Sequence, residues 1–558
     1  MSADQGLRSG GQVLVDQLRI HGVDTIFCVP GESYLTVIDS LHDAQNEIKT
    51  VACRQEGGAT NMAEAYGKLT GRPGVAMVTR GPGACNGSIG AHTAMQDSTP
   101  MVIFIGQVAR DQEYREAFQE VDYHKFYGAI CKEVIQIDHA DRVPELVSQA
   151  FHVAASGRPG PVAVSIPEDM QRDMVDVADA RPFQTIRPEV GPKSMSAFRG
   201  QLASAERPLM ILGGAGWNEQ ACADIQAFAE AHAVPVAASF RCQDLFDNMH
   251  SNYAGELGTS VSPALAQRMR DADLLIVVGS RLGEMTSGGY SLVNIPVPKQ
   301  KLVHVYLDSS ELGRVYEPDL AIVASMESFA AAARDMEAVA CGKWVEWKRQ
   351  ANQDYLDNLA PSLPMDGVDM HEVMNVLNAR LPKDSIITTD AGNFSGWAQR
   401  FYRYRKFRTQ LGPTSGAMGY SIPAAISARL TRPDRPVVCF VGDGGAMMSG
   451  QEVATAVQYG SDPIILVLNN NAYGTIRMHQ ERDYPNRTLA TELVNPDFAK
   501  WAQSFGAYGA VVEETKEFAP AFEAAMNAGR ISVIEIRVNL ETITTRTTMS
   551  KLRGSGVK

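Results

Sequence analysis

The feature that most constrains this chain is a pair of polar clusters, each placed directly after an apolar run. Gly442-Asp443-Gly444 follows the run from Val437 to Val441, and Asn469-Asn470 follows the run from Ile464 to Leu468. The two runs predict buried strands and the stretch from Ser449 to Tyr459 predicts a helix, which together make one right-handed βαβ unit. Both clusters therefore fall at the carboxyl ends of parallel strands, where open α/β sheets bind ligands.

The residue types in these clusters indicate a divalent metal ion. The Asp443 carboxylate and the Asn470 amide oxygen are hard oxygen ligands of the kind that Mg²⁺ prefers, and glycines allow the backbone to approach phosphate oxygens closely. Taken singly, the first cluster also fits a tight turn and the second a polar strand end. Their combination, with residues 445–468 between them, favours a metal that holds a diphosphate.

The composition is that of a large enzyme with several cores. A length of 558 residues suggests three or four domains of ordinary size, and 45% hydrophobic content is enough to fill them. We expect no membrane span and no secretory signal, because the N-terminus lacks a charged start followed by an apolar core. Eight cysteines without metal-binding spacing predict reduced thiols in a cytoplasmic protein. The net charge of -13 argues against a nucleic-acid partner.

Apolar strands alternate with helical stretches in three successive blocks. This pattern predicts three doubly wound parallel-sheet α/β domains, with bounds at 1–172, 190–340 and 366–545. We find no low-complexity segment between them.

Blocks one and three share an internal pattern. Pro73 and Pro100 bracket one strand–turn–helix unit, Pro436 and Pro463 bracket another, and the spacing is the same in both. A duplicated domain is the economical explanation, and chance similarity between two βαβ units is the alternative. In this alignment Arg80 stands where the third block has Asp443, so only the third block carries the metal ligand.

Beyond these patterns, essentially the full chain resembles thiamine diphosphate-dependent enzymes, in particular the large subunits of acetolactate synthase. The likeness lies in the spacing of the two polar clusters, in RQEGGA at 54–59, and in VTRGPGACN, FIGQV and SGRPGPVAVSIPEDM. The resemblance implies that Asp443, Asn470 and the carbonyl of Ala472 hold Mg²⁺. It also implies that block one binds the pyrimidine ring of the cofactor and block three its diphosphate.

The resemblance further implies the cofactor contacts. Glu56 would share a proton with the pyrimidine ring, Met418 would wedge beneath the two rings, and the Gly416 carbonyl would accept from the amino group. The remaining implied contacts are Asn393, Phe394, Ser395, Gly442, Asp443, Gly444, Gly445, Ala446, Asn470, Ala472, Tyr473 and Gly474. From the residues alone, Glu56 also fits a helix-start carboxylate and Met418 a core filler, and glycine and asparagine after a strand also make ordinary turns.

The implied reaction is decarboxylation or carboligation of a 2-oxoacid. The thiamine ylide would add to the carbonyl, carbon dioxide would leave, and the enamine would be captured by an acceptor or a proton. Gln119 is the favoured substrate contact, and His92 and His479 are candidate proton carriers, although a lone histidine in an apolar helix is more often structural. The chain departs from the acetolactate synthase pattern at His479, where that family has tryptophan, and at Met285, which replaces an arginine.

These departures leave a second function open, that of a carbon-carbon lyase such as a 2-hydroxyacyl-CoA lyase or a benzaldehyde-lyase-like enzyme. A silent regulatory paralogue is a third interpretation, which the presence of Glu56, Asp443 and Asn470 disfavours. The substrate would be a 2-oxoacid or a 2-hydroxyacyl compound, and we expect a homodimer or homotetramer with active sites between subunits.

Two segments are ambiguous from sequence. Gly213-Gly214-Ala215-Gly216 is an incomplete dinucleotide pattern, for which a strand-to-helix turn is the better interpretation, and the resemblance leaves open whether the central block binds FAD, ADP or neither. The polar and basic tail from Thr544 to Lys558 either closes over the site or is disordered.

Overall fold

The structure is a computed structural model that describes residues 6–361, 363 and 367–554. Within them, three parallel sheets of six strands are each flanked by helices, which confirms the predicted fold class. The predicted bounds at Met1 and Asp366 lie outside the described residues, and the domain boundaries remain predictions. The chain forms two compact units: unit 1 contains the residues up to Ile186 with Ile422–Pro433 and Met447–Asp462, and unit 2 contains the rest.

The first sheet lies in unit 1. Its order is β3-β2-β4-β5-β7-β6, and β1 pairs antiparallel with β8 beside it. The strands are β1 Arg8–Ser9, β2 Thr25–Cys28, β3 Lys49–Ala52, β4 Gly74–Val78, β5 Met101–Gln107, β6 Glu133–Gln136, β7 Pro161–Pro167 and β8 Met174–Val175. The helices are α1 Gly10–Ile20, α2 Leu35–Asp43, α3 Glu56–Thr70, α4 Pro82–Asp97, α5 Tyr123–Tyr127 and α6 Val143–Ala155.

The central sheet has the order β11-β10-β9-β12-β13-β14 and a hydrophobic core on each face. Its strands are β9 Pro208–Leu212, β10 Val236–Ala238, β11 Tyr253–Glu256, β12 Leu274–Val278, β13 Lys301–Tyr306 and β14 Leu320–Val323. Its helices are α7 Pro192–Ser204, α8 Glu219–Ala231, α9 Pro263–Asp271, α10 Met326–Arg334 and α11 Val345–Asn358.

The third sheet lies in unit 2 and has the order β16-β15-β17-β18-β20-β19. Its strands are β15 Ile386–Thr389, β16 Gln410–Leu411, β17 Val437–Gly442, β18 Ile464–Asn469, β19 Tyr508–Val512 and β20 Ser532–Arg537. The helices of this stretch of the chain are α12 Met370–Arg380, α13 Ser395–Phe401, α14 Ser421–Thr431, α15 Asp443–Ser449, α16 Val453–Tyr459, α17 Gly474–Asp483, α18 Phe498–Ser504, α19 Thr515–Met526 and α20 Met549–Gly554. Of these, α14 from its second residue onward and all of α16 belong to unit 1.

The first and third sheets have the same topology. In both, the second strand in chain order forms an edge, followed by the first, third, fourth, sixth and fifth strands, whereas the central sheet runs third, second, first, fourth, fifth, sixth. This identity supports a duplicated domain. At the position that corresponds to Asp443, Arg80 is instead a buried cation that forms ion pairs with Glu168 and Glu32.

One predicted helix begins at a different residue. The sequence pattern predicts a helix from Ser449 to Tyr459, whereas the backbone is already helical at Asp443 and contains a 3-10 turn from Gly450 to Glu452. Glycine is a poor helix former, so the pattern places Gly444 and Gly445 in a turn. Tertiary packing overrides that propensity here, because both glycines are pressed against neighbouring side chains.

The described residues contain neither a membrane-spanning helix nor a disulfide bond. Among them, no helix combines the length and the apolar character that a membrane crossing needs. All eight cysteines are free thiols.

Candidate cofactor site

The segment from the end of β17 into the first turn of α15 is built from glycines because side chains crowd it. A Cβ on Gly442 would lie 2.9 Å from the Phe394 ring, and one on Gly444 would lie 2.6 Å from the Tyr473 ring. Met418 also borders this place, since its Cε would be 3.4 Å from a Cβ on Gly444. The fully buried Ala446 closes the turn. The structure thus brings the predicted cofactor residues of β15, β17 and β18 together within unit 2.

The predicted metal ligands form one cluster. Asp443 is buried, its Oδ1 accepts from the Gly444 N–H at 3.0 Å, and Asn470 Oδ1 accepts from the Ala472 N–H at 3.1 Å. Burial raises the pKa of Asp443, and hydrogen bonds from Asn495 and from the backbone of Gly444, Ala472 and Asn471 offset part of that rise. The cluster therefore offers a carboxylate, an amide oxygen and a peptide carbonyl.

Asn495 is a member of this cluster that the sequence analysis missed. Its Nδ2 donates to Asp443 Oδ2 at 2.8 Å, to Asn469 Oδ1 at 3.0 Å and to Asn471 Oδ1 at 3.3 Å. Asn469 in turn donates to the buried Glu535 at 2.9 Å. No local signal in the sequence identifies Asn495, because it lies in an irregular segment beyond α17.

A buried carboxylate orients the segment that carries Met418. The Asp390 side chain accepts from the N–H groups of Gly419 at 2.8 Å and Tyr420 at 2.9 Å. Burial raises the pKa of Asp390 to about 6. Arg241 donates to the Asp390 carbonyl at 2.9 Å. Gly416 begins the segment with φ +71°, and a Cβ there would meet nothing within 4 Å, so its backbone conformation rather than space requires glycine.

The residues after β15 and β18 are tied to each other. The Asn393 N–H donates to Thr475 Oγ1 at 3.0 Å, and its side-chain amide contacts the Met478 sulfur at 3.3 Å. Ser395 is buried and donates to the Gly392 carbonyl at 2.8 Å. These contacts place the loop 393–395 against the start of α17, the helix that begins at Gly474.

His479 lies on α17 and is half-buried. Its Nδ1 is buried and has no hydrogen-bond partner in the part of the chain that the structure describes. Met285, the other departure in the implied acceptor pocket, is 37% exposed. Their roles in substrate selection remain predictions.

In unit 1, Glu56 is the first residue of α3 and is half-buried. Asn86 on α4 donates from Nδ2 to Glu56 Oε2 at 3.0 Å. A Cβ on Gly83 would lie 3.3 Å from Glu56 Oε1, so the first turn of α4 borders the second oxygen. Asn86 is a second residue that the sequence analysis missed, although it lies in the quoted segment VTRGPGACN.

Gln119 also borders the β4–α4 turn, whereas His92 does not share the Asn86 face. A Cβ on Gly81 would lie 2.7 Å from the Gln119 carbonyl oxygen, and Gln119 has φ +66°. A positive φ at a non-glycine residue is strained, and such strain is one of the features that cluster at active sites. His92 is exposed and follows Asn86 by six residues, which turns it about 120° away around the helix.

The glycines after β9 are explained by packing within the protein. A Cβ on Gly213 would lie 1.9 Å from Ser239 Oγ, one on Gly214 1.9 Å from the Gly279 carbonyl, and one on Gly216 2.7 Å from Leu307. These contacts account for the glycines as parts of a tight strand-to-helix turn.

The residues of the cluster at Asp443 fit a bound Mg²⁺. A buried carboxylate is normally paired with a cation or coordinates a metal. Within the described chain no lysine or arginine pairs with Asp443, whose partners are Asn495 and backbone N–H groups. An oxygen-only set of carboxylate, amide and carbonyl suits Mg²⁺.

Comparisons with known proteins identify the family of the chain. Three family models match the chain: the thiamine pyrophosphate enzyme N-terminal TPP binding domain at 8–126, the central domain at 196–333 and the C-terminal TPP binding domain at 390–536. An acetolactate synthase large subunit from Parasynechococcus marenigrum is 31% identical over 95% of this chain and 87% of its own length. The acetolactate synthase isozyme 2 large subunit from Escherichia coli is 30% identical over 95% and 96%.

Proposed function

Since this chain belongs to the thiamine pyrophosphate enzymes related to acetolactate synthase large subunits, we propose that it is a thiamine diphosphate- and Mg²⁺-dependent decarboxylase or carboligase of 2-oxoacids. The observation that carries the proposal is the oxygen cluster of Asp443, Asn470 and Ala472 beside a glycine turn crowded by Tyr473 and Met418. When bound, thiamine diphosphate supplies a nucleophilic carbon and an electron sink for the loss of carbon dioxide.

The residues of unit 2 would bind and orient. Asp443, Asn470 and the Ala472 carbonyl would hold Mg²⁺ and through it the diphosphate. Met418 offers an apolar surface, and its position is set by Asp390, which holds the next two peptide groups. Because the position of Met418 is fixed, its side chain can support a cofactor with two rings in one defined conformation.

Glu56 would move the proton. Asn86 engages Oε2, so we assign proton exchange with the pyrimidine ring to Oε1. General acid–base groups of this kind contribute about 10²- to 10⁴-fold to a rate. Gln119 would contact the substrate from the neighbouring turn.

Product analysis tests the function. Purified protein would be incubated with pyruvate, thiamine diphosphate and Mg²⁺, and the products followed by NMR. Acetolactate or acetaldehyde is the expected product, and Glu56→Gln should lower kcat by about 10²-fold or more. Glu346→Gln, at an exposed ion pair on α11, is the matched control and should be unchanged. Bound cofactor without turnover of any 2-oxoacid would contradict the proposal.

A carbon-carbon lyase is the second candidate, and Met285 and His479 favour it. Neither side chain supplies the fixed positive charge that an acceptor carboxylate needs. Turnover of a 2-hydroxyacyl substrate, together with a rise in melting temperature on adding coenzyme A or ADP, would favour the lyase. The melting temperature rises on binding because a ligand that binds only the native state stabilises that state by about 2.7 kcal/mol at 100 times its Kd. The melting temperature would also be measured with added FAD, to test whether the protein binds this cofactor. In either case we expect a homodimer or homotetramer with active sites between subunits.

A further inference from the structure

The link between β3 and α3 brings Glu56 to its place, and a carboxylate distant in sequence holds that link. Glu452 Oε1 accepts from the backbone N–H groups of Arg54 and Gln55, each at 3.0 Å. Its other oxygen accepts from the Thr455 hydroxyl at 2.6 Å. All of these residues belong to unit 1. Glu452 therefore fixes the backbone N–H groups of the two residues directly before Glu56.

The packing around Glu452 leaves little freedom for the carboxylate to move. Its side chain is fully buried, and a Cβ on Gly58 would lie 2.4 Å from Oε1, so glycine at this position admits the carboxylate. A second contact from the same helical region reinforces the link, because the Tyr459 hydroxyl accepts from the Ala52 N–H at 2.8 Å. The contact between Glu452 and the β3–α3 link is therefore buried inside unit 1 and is not a surface interaction.

Contacts fix both the backbone that leads to Glu56 and the carboxyl group of its side chain. Glu452 fixes the backbone before it, and Asn86 holds its carboxyl group by a hydrogen bond of 3.0 Å. Proton transfer depends steeply on such placement, since a misplacement of about 1 Å can cost about 10²-fold in rate.

We propose that Glu452 is a positioning residue for Glu56, which holds the Arg54–Gln55 peptide groups so that the Glu56 carboxyl group meets the pyrimidine ring of bound thiamine diphosphate. The inference rests on the proposed function. It assigns Glu452 no contact with cofactor or substrate.

Three variants separate position from charge. Glu452→Asp keeps the charge but withdraws the acceptor by one methylene, Glu452→Gln keeps the length and one acceptor oxygen, and Glu452→Ala removes the acceptor. Asp244→Ala is the matched control, because the buried Asp244 also accepts from two consecutive backbone N–H groups, those of Thr409 and Gln410, outside the proposed site.

The first readout uses the protein without cofactor. Hydrogen exchange measured by mass spectrometry should show faster exchange of the amides of residues 53–58 in Glu452→Asp and Glu452→Ala, and unchanged exchange there in Asp244→Ala. If Glu452→Ala does not fold, Glu452→Asp decides the question. Wild-type protection of these amides in Glu452→Asp would overturn the proposal.

The second readout is the rate at which the C2 proton of bound thiamine diphosphate exchanges with D₂O, followed by quenched-flow NMR. Glu452→Asp should slow it by about 10-fold or more, and Glu452→Gln should slow it less. Wild-type exchange in Glu452→Asp, or a larger loss in Glu452→Gln, would overturn the assignment. If the wild-type protein does not accelerate this exchange, and Glu56→Gln gives the same rate as wild type, the proposed function fails. The cofactor-free readout still tests whether Glu452 holds the Arg54 and Gln55 N–H groups.

Discussion

At the scale of residues, one side-chain amide joins the polar clusters that follow β17 and β18. Asn495 donates to Asp443, Asn469 and Asn471 and so holds the carboxylate that we propose as a Mg²⁺ ligand. Groups that orient metal ligands in this way commonly contribute 10- to 100-fold to metal affinity. The sequence motif contains the proposed ligands but not this support.

We therefore expect Asn495→Ala to weaken Mg²⁺-dependent binding of thiamine diphosphate by about 10- to 100-fold, because Asp443 loses its side-chain donor. Isothermal titration with the cofactor at fixed Mg²⁺ measures this change. Asn378→Ala is the control, since Asn378 donates to the Phe401 carbonyl elsewhere in unit 2. Equal affinities for Asn495→Ala and wild type would refute the support role.

At the scale of elements, the C-terminal helix α20 packs on α17, which carries His479. Arg553 donates two hydrogen bonds of 2.8 Å to the buried carboxylate of Glu481. The sequence left the tail as either a cover or a disordered segment, and residues 555–558 of it lie outside the described chain. Its helical part is held by this ion pair.

The pair should hold across the neutral range. The Arg553 hydrogen bond lowers the pKa of Glu481 from its usual 4.5 to about 2, so the stabilisation is present above the unfolded pKa and is lost only as pH falls towards 2. Arg553→Ala should accelerate tryptic cleavage after Lys551 at pH 7, because α20 loses its anchor. Arg482→Ala, which breaks an exposed pair with Asp483 on α17, should not. Equal cleavage rates in both variants would exclude the anchor.

At the scale of the whole molecule, the shared topology of the first and third sheets has a functional reading. One copy carries Arg80 and the other Asp443 at the same place, so the two domains differ in the charge that they hold there. This division suits a cofactor with one ring to be protonated and one diphosphate to be bound.

The proposed sites between subunits give a complementation test. A mixture of Glu56→Gln and Asp443→Asn chains, each inactive alone, should recover about a quarter of wild-type activity after random reassociation into dimers, because half of the dimers then contain one intact site of two. Activity is measured before and after reversible dissociation of the mixed chains. No recovery, despite mass spectrometric evidence of mixed dimers, would show that each site is built within one chain.

Buried carboxyl groups also set the pH dependence of stability in unit 2. Burial raises the pKa of Asp244 and Asp390 to about 6 and that of Glu256 to about 8. A raised carboxyl pKa means that the folded state holds the proton more tightly, so this stabilisation is full below the unfolded pKa near 4 and is lost as pH rises through the folded value.

The melting temperature of Glu256→Gln should accordingly rise relative to that of wild type as pH increases from 5 to 9, because only the wild-type protein has to ionise a buried carboxyl group at this position. Scanning calorimetry at several pH values measures the difference. Glu346→Gln, at an exposed carboxylate whose pKa is lowered to about 2, should show a constant difference over this range. A pH-independent difference for Glu256→Gln would contradict the assignment.

The sequence by itself determined the strands that carry the candidate site. The strands of Val437–Gly442 and Ile464–Asn469 end within a residue of their predicted ends, because apolar runs bounded by glycine or asparagine are local signals. The proximity of Asp443 and Asn470 was likewise predictable, since both residues follow strands that a βαβ unit places side by side, whereas their role as metal ligands stays a prediction.

Only the tertiary structure decided which distant groups support that chemistry. Asn495 reaches Asp443, Asn86 reaches Glu56, and Glu452 holds a link almost 400 residues earlier in the chain. No period or propensity encodes these contacts. They arise because a buried carboxylate or peptide N–H must find a partner, and the packed fold alone determines which partner is within reach.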